Sequence, residues 1–232
     1  MSEVHEHVLR RIGVKRDTPD PRDRPYQPPA RRAPLPDSVD LRAQMPPVYD
    51  QGRIASCTAA ALAAAVVFCR AKHEQTPAFE PSRLFIYYNE RDLAGDAGVD
   101  AGASLRDGIK TLKQQGAAPE TLWTYDDTPA TTPGGPWPDG AKPAQRPPQG
   151  AYDVATLIEM LSYRRLRNDL AHLRACLAEG YPFTLGIVVY PSFMQAPGKQ
   201  ATVTPIPAAD EQPLGEHIVL GVGYDDAKQW LI

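Results

Sequence analysis

The stretch YDQGRIASCTAAALAAA, residues 49–65, decides how the rest of the chain is read. It sets a cysteine, Cys57, at the mouth of an alanine-rich run, six residues after a glutamine, Gln51. Ser56 stands where an N-cap belongs, and a helix is expected from about Cys57 to Lys72. That segment is small-residued or apolar nearly all round, so it should lie buried between other layers. The thiolate is the reactive form of cysteine, and a free thiol is only a few per cent ionised at neutral pH. A helix N-terminus helps, because its unpaired amides and the macrodipole stabilise the anion. Gln51 offers a side-chain amide that, with the backbone N–H of Cys57, can hold a tetrahedral oxyanion. Gly52 allows the tight turn that brings this amide back. The base has to come from far away in the chain. His217 is the best candidate, in a strand context ahead of the apolar run Ile218–Tyr224.

Outward from that stretch, 232 residues make one large domain or two small lobes. A formal charge of -3 gives no general attraction to nucleic acid or to an anionic membrane. No apolar run approaches the roughly 20 residues of a membrane span. The N-terminal MSEVHEHVLRRIG lacks the apolar core and cleavage site of a secretory signal. Three scattered cysteines, Cys57, Cys69 and Cys176, do not make a disulfide framework, so a reducing, cytoplasmic setting is expected. Signal-independent export is the alternative.

Proline marks the seams. Seven of the 25 prolines precede Asp37 and seven more lie between Asp126 and Gly150. Both segments are expected to be irregular and partly extended rather than packed elements. The expected organisation is an arm over 1–37 and a folded body over 38–232. Within the body a helical lobe covers about 50–125, the proline-rich insertion 126–150 and a β lobe about 151–232. A helix follows Pro81; another is boxed by Ser104 and Asp107 and stopped by Gly116; a third is capped by Asn168 and stopped by Gly180. Strands are expected over 182–190, 216–226 and the terminal KQWLI. The fold class is α+β.

With these residues in place, the chain resembles the papain-like (C1) cysteine peptidases, particularly the bacterial ones. The similarity runs from about Leu35 to Ile232 with the motifs in family order. Gln51, Gly52, Ser56 and Cys57 meet the family's Gln-Gly-x-x-x-Ser-Cys signature, and His217 followed by Val222-Gly223-Tyr224 meets its histidine strand. The resemblance implies a two-lobe fold, helical first and antiparallel β second, with a cleft between. It implies a Cys57 thiolate attacking a peptide carbonyl, an oxyanion hole from Gln51, and His217 protonating the leaving amine. Gly102, in DAGAS, falls where the family presents a Gly-rich edge to substrate backbone, and Ile218 beside His217 is a second substrate-binding candidate. Ile54 stands where secreted members carry a disulfide cysteine, and Thr58 where a tryptophan usually follows the nucleophile. The family's catalytic asparagine would fall about two residues past Ile232, so the chain is expected to stop short of the last strands.

The expected partner is a peptide or protein substrate, with no metal, cofactor, nucleic acid or membrane. Two other classes remain open: a catalytically silent papain-like binding scaffold, and a thiol-dependent acyltransferase or amidase. Cys69 and Cys176, mid-helix among apolar residues, read as packing. His5 and His7 sit in the arm without ligand spacing. The arm reads either as a surface-hugging tail or as a short regulatory segment lying over the cleft.

Overall fold

Packing begins at the first strand, β1 (Ser38–Asp40), which leads through Leu41 into the long helix α1, Cys57–Lys72. The computed structural model describes residues 12–30, 34–75, 78–158, 162–194 and 203–232. After α1 come α2 (Arg83–Leu93), α3 (Leu105–Gln114), α4 (Gln149–Ala155) and α5 (Leu170–Ala178). Then follow β2 (Phe183–Val189), a single turn α6 (Pro191–Met194), β3 (Gly215–Gly221), β4 (Gly223–Asp225) and β5 (Trp230–Leu231).

α1 joins two cores because its sequence lets it. Ala59 and Ala63 are fully buried and, with Leu62 and Ile54, meet Leu84, Ile86 and Tyr87 of α2 and Leu112 of α3. One turn from its other end, Phe68 enters a second core with Leu173 and Leu177 of α5, Phe183 of β2 and Tyr224 of β4. Alanines let neighbouring backbones approach closely, so a helix with little amphipathic bias sits deep rather than on a surface. Cys69 departs from its expected burial: it lies on the exposed side of α1, while Cys176 is buried.

Each helix start has a visible cause. The Ser82 hydroxyl accepts from the Phe85 amide at 3.0 Å. Ser104 accepts from the Asp107 amide at 3.0 Å and donates to its carboxylate at 2.8 Å, closing the box on α3. At α5 the cap is Asp169, not Asn168: its carboxylate accepts from the His172 amide at 2.9 Å. A carboxylate also complements the positive end of the helix, which decides between adjacent Asx residues. Gly116 and Gly180 end α3 and α5 with φ of 76° and 77°.

The segment 126–150 is irregular yet packed. Ala130, Trp137 and Ala141 are buried in the first core. Prolines carry no backbone N–H, so such a segment enters a core with fewer donors to satisfy. α2 anchors it: fully buried Arg91 donates to the Pro143 carbonyl at 2.5 Å and to those of Ala97 and Val99 at 2.7 and 3.2 Å. α4 then packs Ala151 and Ala155 on Phe85 and Ala118.

The named strands pair antiparallel. β2 and β3 form a seven-residue ladder from Phe183↔Gly221 to Val189↔Gly215, pairing Ile187 with His217. β1, β4 and β5 form a second sheet in that order. The mix of helices and antiparallel sheets is the α+β arrangement expected. No helix among the described residues is long and apolar enough to cross a membrane.

Candidate active site

Cys57 is the first residue of α1, with its side chain 2% exposed. The loop before it is held from several sides. Gly52 adopts φ 61°, and its amide donates to the Asp50 carboxylate at 2.9 Å. Gln51 is buried, and its side-chain amide donates to the Ile54 carbonyl at 2.8 Å. Asp100 accepts from the Ala55 amide at 3.1 Å and from the Tyr87 hydroxyl at 2.5 Å. A buried carboxylate thus ties down this loop just after Ile54.

Ser56 occupies the N-cap position but does not cap. Its hydroxyl pairs with that of Tyr125 at 2.6 Å, and Tyr125 in turn donates to the Gln51 carbonyl at 2.8 Å. Arg83 stacks over the Tyr125 and Tyr49 rings at 3.9 and 4.7 Å. The diversion matters. With the serine turned away, Ser56 makes no cap bond and leaves the first-turn amides of α1 without its hydroxyl as acceptor. A Tyr125→Phe variant should release Ser56 to compete for those amides. The expected result is a roughly fivefold slower labelling of Cys57 by a peptidyl electrophile, from the loss of about 1 kcal/mol of hydrogen bonding; an unchanged rate would remove Tyr125 from the site.

The second half of the site comes from β3. Ile218 packs on Cys57 and Ala61. His217 is the preceding residue on β3, which passes the start of α1 where Ile218 packs on Cys57. That thiol is pushed up to about 11, chiefly by burial; the Ile218 amide opposes the rise and the Glu90 carboxyl adds to it.

Gly102 is not open to solvent, because the N-terminal arm lies on it. The Lys15 amide donates to the Ala103 carbonyl at 3.0 Å, and the Ala103 amide to the Gly13 carbonyl at 3.2 Å. A Cβ on Gly102, itself at φ 66°, would collide with the Gly13 carbonyl. Between these bonds Val14 packs on the cluster of Cys57, Ala61 and Ile218. Ion pairs secure the arm on both sides: Lys15 with Asp96, Arg16 with Glu216, and Asp23 with Arg106 and Arg165. Asp17 caps an open amide in the first turn of α3, accepting from Arg106 N at 3.0 Å. Among the described residues no group of three or more His, Cys, Asp or Glu is arranged to hold a metal ion. His5 and His7 lie outside those residues.

No family profile matches the chain. Its fold superposes on xylellain, a cysteine protease from Xylella fastidiosa, with a TM-score of 0.86 and 43% identity, covering 96% of this chain and 83% of that one. The chain belongs to the papain-like cysteine proteases. A peptidase C1-like protein of Acanthamoeba polyphaga mimivirus is 35% identical over 185 residues, 76% of this chain. The chain spans 55% of the length of that curated relative. Trypanosoma congolense procathepsin B shares the fold at TM-score 0.69 and 15% identity, covering 98% of this chain and 75% of that one.

Within this papain-like fold the sequence offers Cys57, Gln51, Gly102 and the His217–Ile218 pair as candidates, while three further residues packed around the start of α1 escape it. Tyr125 and Glu90 carry no local motif, since they reach the site only through the packing of α2 and the chain after α3. Asp100 sits in plain view as the first residue of DAGAS, but its bond to Ala55 is a long-range one.

Proposed function

We propose that the chain is a papain-like cysteine endopeptidase, observed with its cleft closed by its own N-terminal arm. The reading is carried by one observation: a cysteine at the start of α1 packs against Ile218, the residue after His217 on β3. In this mechanism the Cys57 thiolate attacks a peptide carbonyl, and His217 as imidazolium stabilises the thiolate and then protonates the leaving amine. The backbone amide of Cys57 and the second N–H of Gln51 take the oxyanion. Gln51 already spends one bond on Ile54, which fixes the direction of the amide. Hydrolysis is completed when His217 activates the water that deacylates the enzyme. Substrate backbone lies along Gly102–Ala103, the edge that the arm occupies here.

The closed state accounts for the protonated thiol. Val14 excludes water from the sulfur, and burial is the main cause of its raised pKa. The same burial suits a silent binding scaffold, so the two are separated by experiment. Replacing Cys57 by Ala should lower hydrolysis of a peptide substrate by roughly 10³-fold or more. A parent protein that is inactive and takes up no peptidyl electrophile at Cys57, even with the arm displaced, would favour the scaffold. Transfer of the acyl group to an added amine in preference to water would favour the acyltransferase.

A further inference from the structure

Behind the nucleophile lies a titratable group that the mechanism above does not use. Glu90 of α2 is fully buried. One carboxylate oxygen accepts from the hydroxyl of Thr58, the residue after Cys57. The other has no hydrogen-bond partner. It is also tightly enclosed: a Cβ on Gly108 of α3 would come within 2.7 Å of this oxygen and would run into Leu62. The glycine leaves room for a carboxyl and nothing else. An ionised carboxylate with an unpartnered oxygen in such a place is costly, whereas the neutral acid is tolerated.

We propose that Glu90 is a positioning residue for the nucleophile: in its neutral form it lets Cys57 ionise, and in its ionised form it withholds the thiolate. The inference rests on the reading of Cys57 as nucleophile. Every group facing Glu90 bears on its titration. On α1 these are Cys57 and Thr58; on α3 it is Asp107; on α2 itself they are Arg91 and Tyr87. Burial raises the carboxyl to about 8, against the pull of the Thr58 hydroxyl and Arg91, with Asp107 adding to the rise. Conversely, Glu90 is among the causes that raise the thiol. Two acids that act on each other titrate as a coupled pair, so the second to ionise does so at higher pH than it would alone.

The thiol therefore loses ground over the same pH range in which Glu90 ionises. At lower pH, with Glu90 protonated, its charge no longer adds to the rise that burial causes. Thr58 is the mechanical link, since it follows Cys57 in the first turn of α1 and its hydroxyl holds the carboxyl. Small residues at this position, in place of the family's tryptophan, give the carboxyl its access.

The test is the pH profile of Cys57 alkylation by iodoacetamide in the full chain, read by peptide mapping with Cys69 as internal reference. Opening of the arm enters parent and variant alike. In Glu90→Gln the midpoint of the Cys57 profile should fall by about one pH unit, giving roughly tenfold faster alkylation at pH 8. In the parent, the infrared carboxylic-acid band that is missing from the variant should persist at pH 7 and vanish near pH 8 to 9. Identical alkylation profiles in two folded proteins would overturn the proposal, as would a parent carboxyl already ionised at pH 6. A shifted profile in a protein with no peptide hydrolysis would sink the nucleophile reading and leave the coupling standing.

Discussion

Replacing Arg106 by Ala should make Cys57 roughly thirtyfold more reactive toward a peptidyl electrophile, by loosening the arm that covers it. Arg106 is the arm's principal anchor. Its guanidinium meets both oxygens of Asp23 at 2.6 and 2.8 Å and the Thr18 carbonyl at 3.2 Å. Its side chain is only 11% exposed and that of Asp23 8%, so solvent screens the pair little. Removing one partner of a buried pair typically costs about 3–5 kcal/mol. Asp23 keeps Tyr163 at 3.0 Å and Arg165 at 3.2 Å, which reduces the loss to about 2 kcal/mol, a factor of roughly thirty in arm occupancy. The fold should tolerate the change, because an arginine in the first turn of α3 opposes the helix dipole and Asp17 caps the backbone amide of residue 106 rather than its side chain.

Acid should act at the same joint. The Arg106 hydrogen bond, first among the causes, holds Asp23 down at about 2. A carboxyl depressed in the fold stabilises the docked arm above its ordinary range near 4 and loses that contribution as pH falls through about 2. Equal labelling of parent and Arg106→Ala at neutral pH would show that the arm does not close the cleft.

How much of this was legible in the sequence depends on whether the cause of a feature is local. The limits of α1 are legible because Ser56 precedes an unbroken helical run and His73 ends it. The Ser104–Asp107 box is legible for the same reason, its two bonds spanning three residues. What Ser56 does is not. Its hydroxyl is claimed by Tyr125, 69 residues away, and no propensity scale contains that partner. The proline-rich stretch misleads in a similar way: composition reads as loop, and the loop is real, but Trp137 turns it into core by stacking 5.0 Å from Arg91. Cys69 shows the limit of apolar runs, since the exposed side of a small-residue helix becomes visible only when its neighbours are placed. At the site, the glutamine, cysteine and histidine stand out as residue types with spacing. Glu90 and Asp100 do not, because a carboxylate acquires meaning only from its burial and from what it touches.

Stability should depend on pH through Glu90 more than through any other single group of the site. Its pKa is raised in the fold to about 8, so the folded state binds the proton more tightly than the unfolded chain. The sign follows: the favourable contribution is complete below the ordinary glutamate range and is lost as pH rises through about 8. Fully realised, that loss is about 4–5 kcal/mol, a large share of the 5–15 kcal/mol typical of whole proteins. Glu90→Gln removes the titration but sets an amide N–H where the unpartnered oxygen was, at about 1–2 kcal/mol. The two curves should therefore cross. At pH 5 the variant unfolds at lower denaturant concentration than the parent, and at pH 9 it is the more stable by about 2–3 kcal/mol, a rise of roughly 5–10 °C in melting temperature. Other groups titrate across this range in both proteins, so the difference between the curves isolates Glu90. Parallel curves would mean that the carboxyl finds solvent or a partner on ionising, and its hold on Cys57 would go with it. A crossing would explain why a group that weakens the fold at alkaline pH stands one residue behind the thiol: the energy stored in keeping it neutral is what makes the nucleophile responsive to pH.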